Sequence, residues 1–316
     1  MQTRKLGYTD LAPTTVGLGT WAIGGSWQWG WGPQDDDEAV AGILAGLEAG
    51  INWIDTAPVY GVGHSEELVG QALRQTKHKP FLATKCGRLW NEKKELIPYL
   101  KRDSIRWECE ASLRRLGVER IDLYQMHWPD PLQDIEEAWE EMALLAAEGK
   151  VRYLGVCNYN VEQLERVRKI YPVTSLQPPY SLLRRDVEKE LLPYCAANGI
   201  GVIVYSPMQM GLLTGAFSRE RVTALPPDDL RRRNPFFAEP QLSRNLELVE
   251  KLKPIAARAG RSLAELAIAW VLRRPEVTAA IVGGRRPAQV EEPARAADWD
   301  LGPAEVLEID RLLPSV

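Results

Sequence analysis

The sequence is poor in cysteine, histidine and phenylalanine. Its 316 residues include four cysteines, three histidines and four phenylalanines. The cysteines are widely spaced and form no C-x-x-C pair, so neither a zinc motif nor a disulfide framework is indicated. The histidines also lack metal-ligand spacing. We therefore predict reduced thiols and no metal site.

The sequence also lacks a basic excess and long hydrophobic runs. Its 39 Lys and Arg against 43 Asp and Glu give a net charge of -4, which does not favour a nucleic-acid partner. The first ten residues contain no apolar core of a signal peptide, and no apolar segment reaches membrane-spanning length. We expect a cytoplasmic protein that binds neither membrane nor nucleic acid.

Short apolar segments and amphipathic segments alternate along the chain. Eight segments read as buried strands: Val16–Trp21, Ile51–Asp55, Phe81–Lys85, Ile121–His127, Val151–Val156, Thr174–Gln177, Gly201–Tyr205 and Val277–Val282. The segments that read as helices are Ala39–Ala49, Ser65–Leu73, Arg102–Leu116, Ile135–Glu148, Val161–Ile170, Val187–Asn198, Leu242–Ala259, Leu263–Arg273, Pro287–Ala297 and Pro303–Leu313. Nearly continuous apolar strands that alternate with helices are typical of a parallel sheet covered on both faces.

This alternation predicts an α/β fold, a (β/α)8 TIM barrel, with an N-terminal hairpin near residues 4–11 and additional C-terminal helices. We expect one domain over residues 1–316, although the length alone also permits two. A doubly wound sheet is the competing fold, but the glycines after the first strand lack G-x-G-x-x-G spacing. Thr214–Arg244 interrupts the pattern, and its length makes it a candidate lid.

Polar or amphipathic residues stand at or just after the carboxyl ends of the predicted strands. They are Trp21, Asp55, Lys85, His127, Asn158, Gln177, Tyr205 and Arg285. One such residue is usually a solvated rim residue. A whole ring of them, at the end of the barrel where active sites lie, indicates a functional site.

Tyr60, one turn after Asp55, gives this ring a possible chemistry. By themselves, Asp55 could cap a turn and Tyr60 could be an amphipathic rim residue. Lys85 would favour the phenolate and so lower the pKa of Tyr60 from about 10, while Asp55 would keep Lys85 charged. With His127 orienting a substrate oxygen, Tyr60 could protonate a carbonyl during reduction. No side chain can deliver hydride, so a nicotinamide cofactor is implied.

Several segments carry a resemblance to one family. They are I-D-T-A-P-V-Y-G (54–61), A-T-K (83–85), D-L-Y-Q-M-H-W-P-D (122–130), G-V-C-N (155–158), Q-P-P-Y-S (177–181), Y-S-P-M-Q-M-G-L-L-T-G (205–215) and I-V-G-G-R-R-P-A-Q (281–289). In this order, and over nearly the whole chain, they resemble the aldo-keto reductase family. The G-L-G-T-W-A-I-G-G opening is similar in particular to its bacterial NADPH-dependent general stress reductases; potassium-channel β subunits are more distant relatives.

The resemblance implies an enzyme that uses NADPH/NADP+ to reduce a small-molecule carbonyl substrate. Its catalytic residues would be Tyr60, Asp55, Lys85 and His127. The cofactor would contact Thr20, Trp21, Asp55, Cys157, Asn158, Gln177, Tyr205, Ser206, Met208, Gly211, Leu212, Thr214, Gly283, Arg285, Arg286, Gln289 and Glu292. The substrate pocket would include Trp21, Tyr60, Trp90, His127 and Trp128.

Within this implied cofactor site, each group has a part of NADPH to hold. Asn158 and Gln177 would hold the nicotinamide carboxamide, and Tyr205 would stack on its ring. Ser206 and the backbone of residues 211–214 would line the pyrophosphate. Arg285, Arg286 and Gln289 would grip the 2′-phosphate, and Glu292 would face the adenine.

Two positions depart from the family pattern. Cys157 stands where serine is common beside the carboxamide-binding asparagine, and a thiol is the weaker hydrogen-bonding group. Pro293 stands where an adenine-contacting asparagine is common. The tryptophans of residues 21–31, with Trp90 and Trp128, could form the walls of an apolar pocket or could serve packing alone.

Other readings stay open. Arg231, Arg232 and Arg233 could clamp cofactor phosphates or be a solvated charge run. An NAD-linked alcohol, sugar or polyol dehydrogenase could use the same site. A cofactor-sensing subunit is the non-enzymatic alternative. The sequence leaves the physiological substrate and the oligomeric state open.

Overall fold

The structure, a computed structural model, describes residues 1–227 and 229–313. Ten strands occur in this part of the chain: β1 (Val16–Gly19), β2 (Trp53–Asp55), β3 (Phe81–Cys86), β4 (Arg88–Trp90), β5 (Leu96–Pro98), β6 (Ile121–Met126), β7 (Val151–Cys157), β8 (Ser175–Gln177), β9 (Gly201–Val204) and β10 (Val277–Gly283). Eight of them close into a parallel barrel in the order β1, β10, β9, β8, β7, β6, β3, β2. The predicted (β/α)8 fold is confirmed.

Eleven α-helices occur in the same described residues. They are α1 (Asp36–Glu48), α2 (His64–Gln75), α3 (Arg102–Leu116), α4 (Ile135–Ala147), α5 (Val161–Arg168), α6 (Leu191–Ala197), α7 (Arg219–Thr223), α8 (Gln241–Arg258), α9 (Leu263–Leu272), α10 (Ala288–Ala294) and α11 (Pro303–Leu312). Within the part of the chain that the structure describes, none is both long and apolar enough to cross a membrane.

Local sequence signals explain where several helices begin and end. Asp35 caps α1 by accepting a hydrogen bond from the Glu38 N–H, and Gly117 ends α3 in the left-handed conformation. The helix expected from Val187 begins only at Leu191, after a separate 3-10 turn, which leaves Pro193 in the first helical turn. A proline is tolerated there because those N–H groups have no intrahelical partner.

The β4–β5 hairpin is an element that the sequence did not predict. It lies between β3 and α3, is antiparallel, and stands outside the barrel. Its strands have three residues each, and its turn is held by the Asn91 side chain, which accepts from the N–H groups of Lys93 and Glu95. Strands this short, joined by a charged turn, do not show the alternation of apolar and polar residues by which a strand is recognised in a sequence.

The predicted N-terminal hairpin is present, and it lies at the end of the barrel where β10 begins. The Arg4 N–H donates to the Pro13 carbonyl over 3.0 Å, and the Leu6 N–H donates to the Leu11 carbonyl over 2.9 Å. The Arg4 guanidinium donates to the carbonyls of Leu272 and Val277, so the hairpin is fastened to the start of β10.

The connection from Thr214 to Arg244 contains α7 and several 3-10 turns. A small apolar cluster anchors its described residues against the start of α8; it consists of Leu212, Phe217, Leu225, Phe237 and Leu242. Whether this connection closes over a cofactor stays a prediction.

The barrel interior depends on a close contact between neighbouring strands. A Cβ at Gly17 would lie 2.0 Å from the indole of Trp53, a fully buried side chain. We therefore expect Gly17→Ala to lower the free energy of unfolding by about 1–3 kcal/mol or more through overpacking. Urea denaturation followed by tryptophan fluorescence measures this change.

Gly42→Ala is the matched control. A Cβ there would come no closer than 3.5 Å to a neighbouring heavy atom, and the position is helical. It should be neutral or stabilising by about 0.5–1 kcal/mol. Equal stability of the Gly17→Ala protein and the wild type would refute the packing argument.

Candidate active site

The ends of the barrel strands bring the predicted catalytic residues together. Asp55 is the last residue of β2, Lys85 lies near the end of β3, and His127 directly follows β6. Tyr60 lies five residues beyond β2 and packs with Ala57 and Val59 in a small buried cluster. The site forms because these strands, distant in sequence, end on the same rim.

Lys85 and Asp55 form a buried ion pair. Lys85 Nζ lies 2.6 Å from Asp55 Oδ1 and 2.9 Å from the Thr56 carbonyl oxygen, and both side chains are almost inaccessible to solvent. Burial alone would lower the pKa of Lys85, but the attraction and hydrogen bond of Asp55, together with Tyr60 and Cys157, outweigh it, so the pKa of Lys85 is raised. Lys85 is therefore a permanent cation at neutral pH.

Tyr60 lies between this cation and His127. Lys85 Nζ is 4.9 Å from the centre of the Tyr60 ring, and the rings of Tyr60 and His127 meet edge to face at 5.8 Å. Burial raises the pKa of Tyr60 above its ordinary value, and Lys85 offsets only part of this increase. The expectation of a lowered pKa was wrong, because it left out the cost of ionising a phenol with only 8% of its surface exposed.

His127 is held in its neutral form. Burial lowers its pKa well below the ordinary value, and the positive charges of Lys85 and Arg88 lower it further. A neutral imidazole keeps one N–H donor and one acceptor. His127 can thus donate a hydrogen bond beside Tyr60 without adding a charge.

Gln125 is a site residue that the sequence analysis missed. This buried β6 residue donates from Nε2 to Asp55 Oδ2 over 3.2 Å, and Gln177 Nε2 donates to the same oxygen over 2.8 Å. Thr20 also contacts Asp55, through a hydroxyl that donates to its backbone carbonyl. The signal for Gln125 was its polar amide inside an apolar strand, in register with Lys85.

Asn158 and Tyr205 are joined across the same rim. The Tyr205 hydroxyl donates to Asn158 Oδ1 over 2.8 Å, and Asn158 Nδ2 donates to the His127 carbonyl over 3.1 Å. One Nδ2 hydrogen of Asn158 is thereby left for a ligand. Cys157, the preceding residue, is buried, and burial raises the pKa of its thiol.

The segment after β9 has an unusual backbone. Ser206, Gln209 and Met210 have positive φ angles of 55°, 48° and 54°. Non-glycine residues seldom adopt this conformation, and such strain is concentrated at ligand sites. Met208, by contrast, is partly buried against the core.

The turn that follows satisfies its own N–H groups. Those of Gly211, Leu212, Leu213 and Thr214 donate to the carbonyls of residues 208, 209 and 211. These four N–H groups are thus paired within the turn, and the lining of a pyrophosphate by this segment stays a prediction. Three of these four bonds span three residues, the spacing of a 3-10 turn, and the bond from Leu213 to Met208 spans five.

The two arginines of the basic stretch after β10 differ in their contacts. The Arg285 guanidinium donates to the Trp31 carbonyl over 3.2 Å, and also to the Pro33 carbonyl and the Gln34 side chain. Arg286 is exposed and, among the described residues, has no ion-pair partner. Gln289 accepts from the Arg285 N–H, while Gly283 and Glu292 are exposed.

Aromatic residues form one wall beside Tyr60. Trp27 lies 6.1 Å from the Tyr60 ring, and Trp21 packs on the same cluster and meets Trp31 edge to face at 5.1 Å. Trp90 lies on β4, and Trp128 is 42% exposed next to Arg88. The structure thus brings Trp21 and Trp27 to Tyr60 and leaves Trp128 at the rim.

Among the described residues, no group of three or more His, Cys, Asp or Glu side chains could hold a metal ion. The polar groups of the site are instead amides, hydroxyls and one ion pair. Such hydrogen-bonding groups suit a polar organic ligand.

Residues 15–314 match the Aldo/keto reductase family. The chain is 39% identical to aldo-keto reductase YhdN of Bacillus subtilis, over 99% of this chain and 94% of that protein. It is 36% identical to the NADH-specific methylglyoxal reductase of Escherichia coli, over 96% of both chains. The chain belongs to the aldo/keto reductase family.

Solved structures agree with this membership. The glycerol dehydrogenase AKR11B4 from Gluconobacter oxydans superposes with a TM-score of 0.90 at 41% identity, covering 98% of this chain and 94% of that one. The holo form of aldo-keto reductase AKR11C1 from Bacillus halodurans gives a TM-score of 0.81 at 28% identity, covering 100% and 97%.

The electrostatics of the site can be tested at its histidine. Isotope labelling of the imidazoles gives one NMR signal for each of the three histidines. Because the pKa of His127 is lowered, its signal should not shift as the pH falls from 8 to about 6.5, the ordinary histidine pKa.

His64 is the internal control. Partial burial lowers its pKa, but hydrogen bonds to Asp36 and Glu67 outweigh this effect, so the net shift is upward. Its signal, assigned with a His64→Gln variant, should shift at a pH above that ordinary value. A His127 midpoint at or above 6.5 would contradict the neutral imidazole.

Proposed function

We propose that this member of an oxidoreductase family is an NADPH-dependent reductase that converts aldehydes or ketones to alcohols. The observation that carries the proposal is the Lys85–Asp55 ion pair beneath Tyr60, with a neutral His127 at the other edge of the phenol. A raised pKa keeps Tyr60 protonated at neutral pH, as a general acid requires.

In this proposal, each of the four residues has a separate task. His127 donates a hydrogen bond to the substrate carbonyl oxygen and directs it toward Tyr60. Tyr60 gives its hydroxyl proton to that oxygen, and Lys85 stabilises the phenolate that results. Asp55 is the partner that keeps the buried Lys85 charged. The indoles of Trp21 and Trp27 exclude solvent from this corner.

The residues fit a nicotinamide dinucleotide. Within the described part of the chain, the side-chain carbonyl oxygen of Gln177 and one N–H of Asn158 are free, and they match the NH2 group and the carbonyl oxygen of a carboxamide. Arg286, which is exposed and has no ion-pair partner in the described residues, offers a guanidinium for a 2′-phosphate. When bound, NADPH would supply hydride to the carbonyl carbon of the substrate.

A second candidate is an NAD-linked alcohol or polyol dehydrogenase on the same site. One relative is named as NADH-specific, and another is a glycerol dehydrogenase. The contacts of Arg285 with residues 31–34 also favour it, since they occupy one of the two guanidinium groups expected at the phosphate.

The cytoplasmic location and the single domain over residues 1–316 stay predictions.

Tyr60→Phe tests the general acid. We expect kcat for a reactive aldehyde to fall roughly 10²–10⁴-fold, because the variant has no proton to donate. Binding of NADPH, measured by fluorescence titration, should be retained. Tyr171→Phe, at the opposite end of the barrel just before β8, is the matched control and should keep full activity. Undiminished turnover by Tyr60→Phe would rule out this mechanism.

Arg286→Ala tests cofactor choice. Loss of a charge-assisted hydrogen bond to the 2′-phosphate should raise the Kd of NADPH about 10- to 100-fold and leave that of NADH unchanged. Arg74→Ala, an exposed arginine on α2, controls for net charge. If the wild-type protein binds NADPH and NADH equally, the dehydrogenase candidate replaces the reductase.

A further inference from the structure

Gln125 lies in the barrel interior at the level of the catalytic pair. On β6 it is in register with Lys85 of β3 on one side and with Gly155 of β7 on the other. A Cβ at Gly155 would lie 3.2 Å from Gln125 Cγ and 2.4 Å from Ser175 Oγ. Because glycine has no side chain, Gly155 leaves the space that Gln125 occupies.

From this space, Gln125 contacts two residues of the site. Its Nε2 donates to Asp55 Oδ2 over 3.2 Å, and its Oε1 accepts from Gln177 Nε2 over 3.3 Å. Gln177 Nε2 also donates to Asp55 Oδ2 over 2.8 Å. The three side chains form a closed ring of hydrogen bonds from β2, β6 and β8.

The chemistry of the groups fixes the direction of every bond in this ring. An ionised carboxylate only accepts, so both glutamines must turn their amide nitrogen toward Asp55. The carbonyl of Gln125 then faces the second N–H of Gln177. Both hydrogens of Gln177 are used, and its carbonyl oxygen alone is left for a ligand.

We propose that Gln125 is a positioning residue, which locks the Gln177 amide with its carbonyl oxygen toward the nicotinamide carboxamide and completes the shell of donors around Asp55. This assignment rests on the proposed nicotinamide-dependent function. Without Gln125, the second N–H of Gln177 loses its partner, and one hydrogen bond, to Asp55 Oδ2, is left instead of two to fix the position of the amide.

Gln125→Leu removes both hydrogen bonds at a similar volume. The informative readout is the binding of two ligands, NADP+ and 2′-phospho-ADP-ribose, which is the same molecule without the nicotinamide. We expect the Kd of NADP+ to rise about 3- to 10-fold, since one oriented hydrogen bond is affected. The Kd of 2′-phospho-ADP-ribose should not change.

Ser175→Ala is the matched control. Ser175 lies in the same layer, next to Gly155, and its buried hydroxyl has no hydrogen-bond partner among the residues that the structure describes. Its removal should change neither Kd. Gln125→Met, with an unbranched chain close to glutamine in shape, is the second variant. It should show the same selective loss of NADP+ affinity, and it replaces the leucine variant if that protein fails to fold.

A selective loss of NADP+ affinity supports the assignment. Equal losses for both ligands in Gln125→Met would overturn it, because Gln125 would then serve the fold alone, and so would unchanged affinities. These measurements need no turnover. Failure of the wild-type protein to reduce any carbonyl, with the selective loss still present, would overturn the proposed reductase and leave the role of Gln125 standing.

Discussion

The ion pair between Lys85 and Asp55 places the strongest demand on this structure. Both charges lie out of reach of water, where an unpaired ammonium or carboxylate would be very unfavourable. Removal of one partner from such a pair typically costs about 3–5 kcal/mol, because the other charge is left uncompensated. The barrel must therefore bring β2 and β3 together in one register and supply neutral donors for the remaining carboxylate oxygen.

This demand explains the polar side chains inside an otherwise apolar barrel. Lys85 binds Oδ1 of Asp55, and the amides of Gln125 and Gln177 bind Oδ2. The same buried cation also affects its neighbours. It lowers the pKa of His127, which helps keep the imidazole neutral, and it offsets part of the increase that burial causes in the pKa of Tyr60. One charge, held in place by three strands, thus acts, after burial, on the pKa values of the two groups that would face a substrate.

The sequence predicted the barrel because its strands are short apolar runs and its helices carry recognisable ends. Asp55, Lys85 and His127 came together because they stand at or next to strand ends, and the carboxyl ends of parallel strands share one rim; Tyr60 follows in the loop after β2. Gln125 was missed because its role depends on the register with Lys85 and on the space at Gly155, which only the folded barrel reveals. The predicted lowering of the Tyr60 pKa was wrong for a similar reason, because the sequence shows the cation but not how deeply the phenol is buried.

Arg285 connects two regions that would otherwise be independent. Its guanidinium fastens the backbone of residues 31–34, and Trp31 in that segment packs on Trp21 at the edge of the site. A substitution at Arg285 intended to change the preferred dinucleotide would also release this aromatic wall. Under the proposed function, cofactor preference and substrate range would in this way be linked, and a change at this position would act on both.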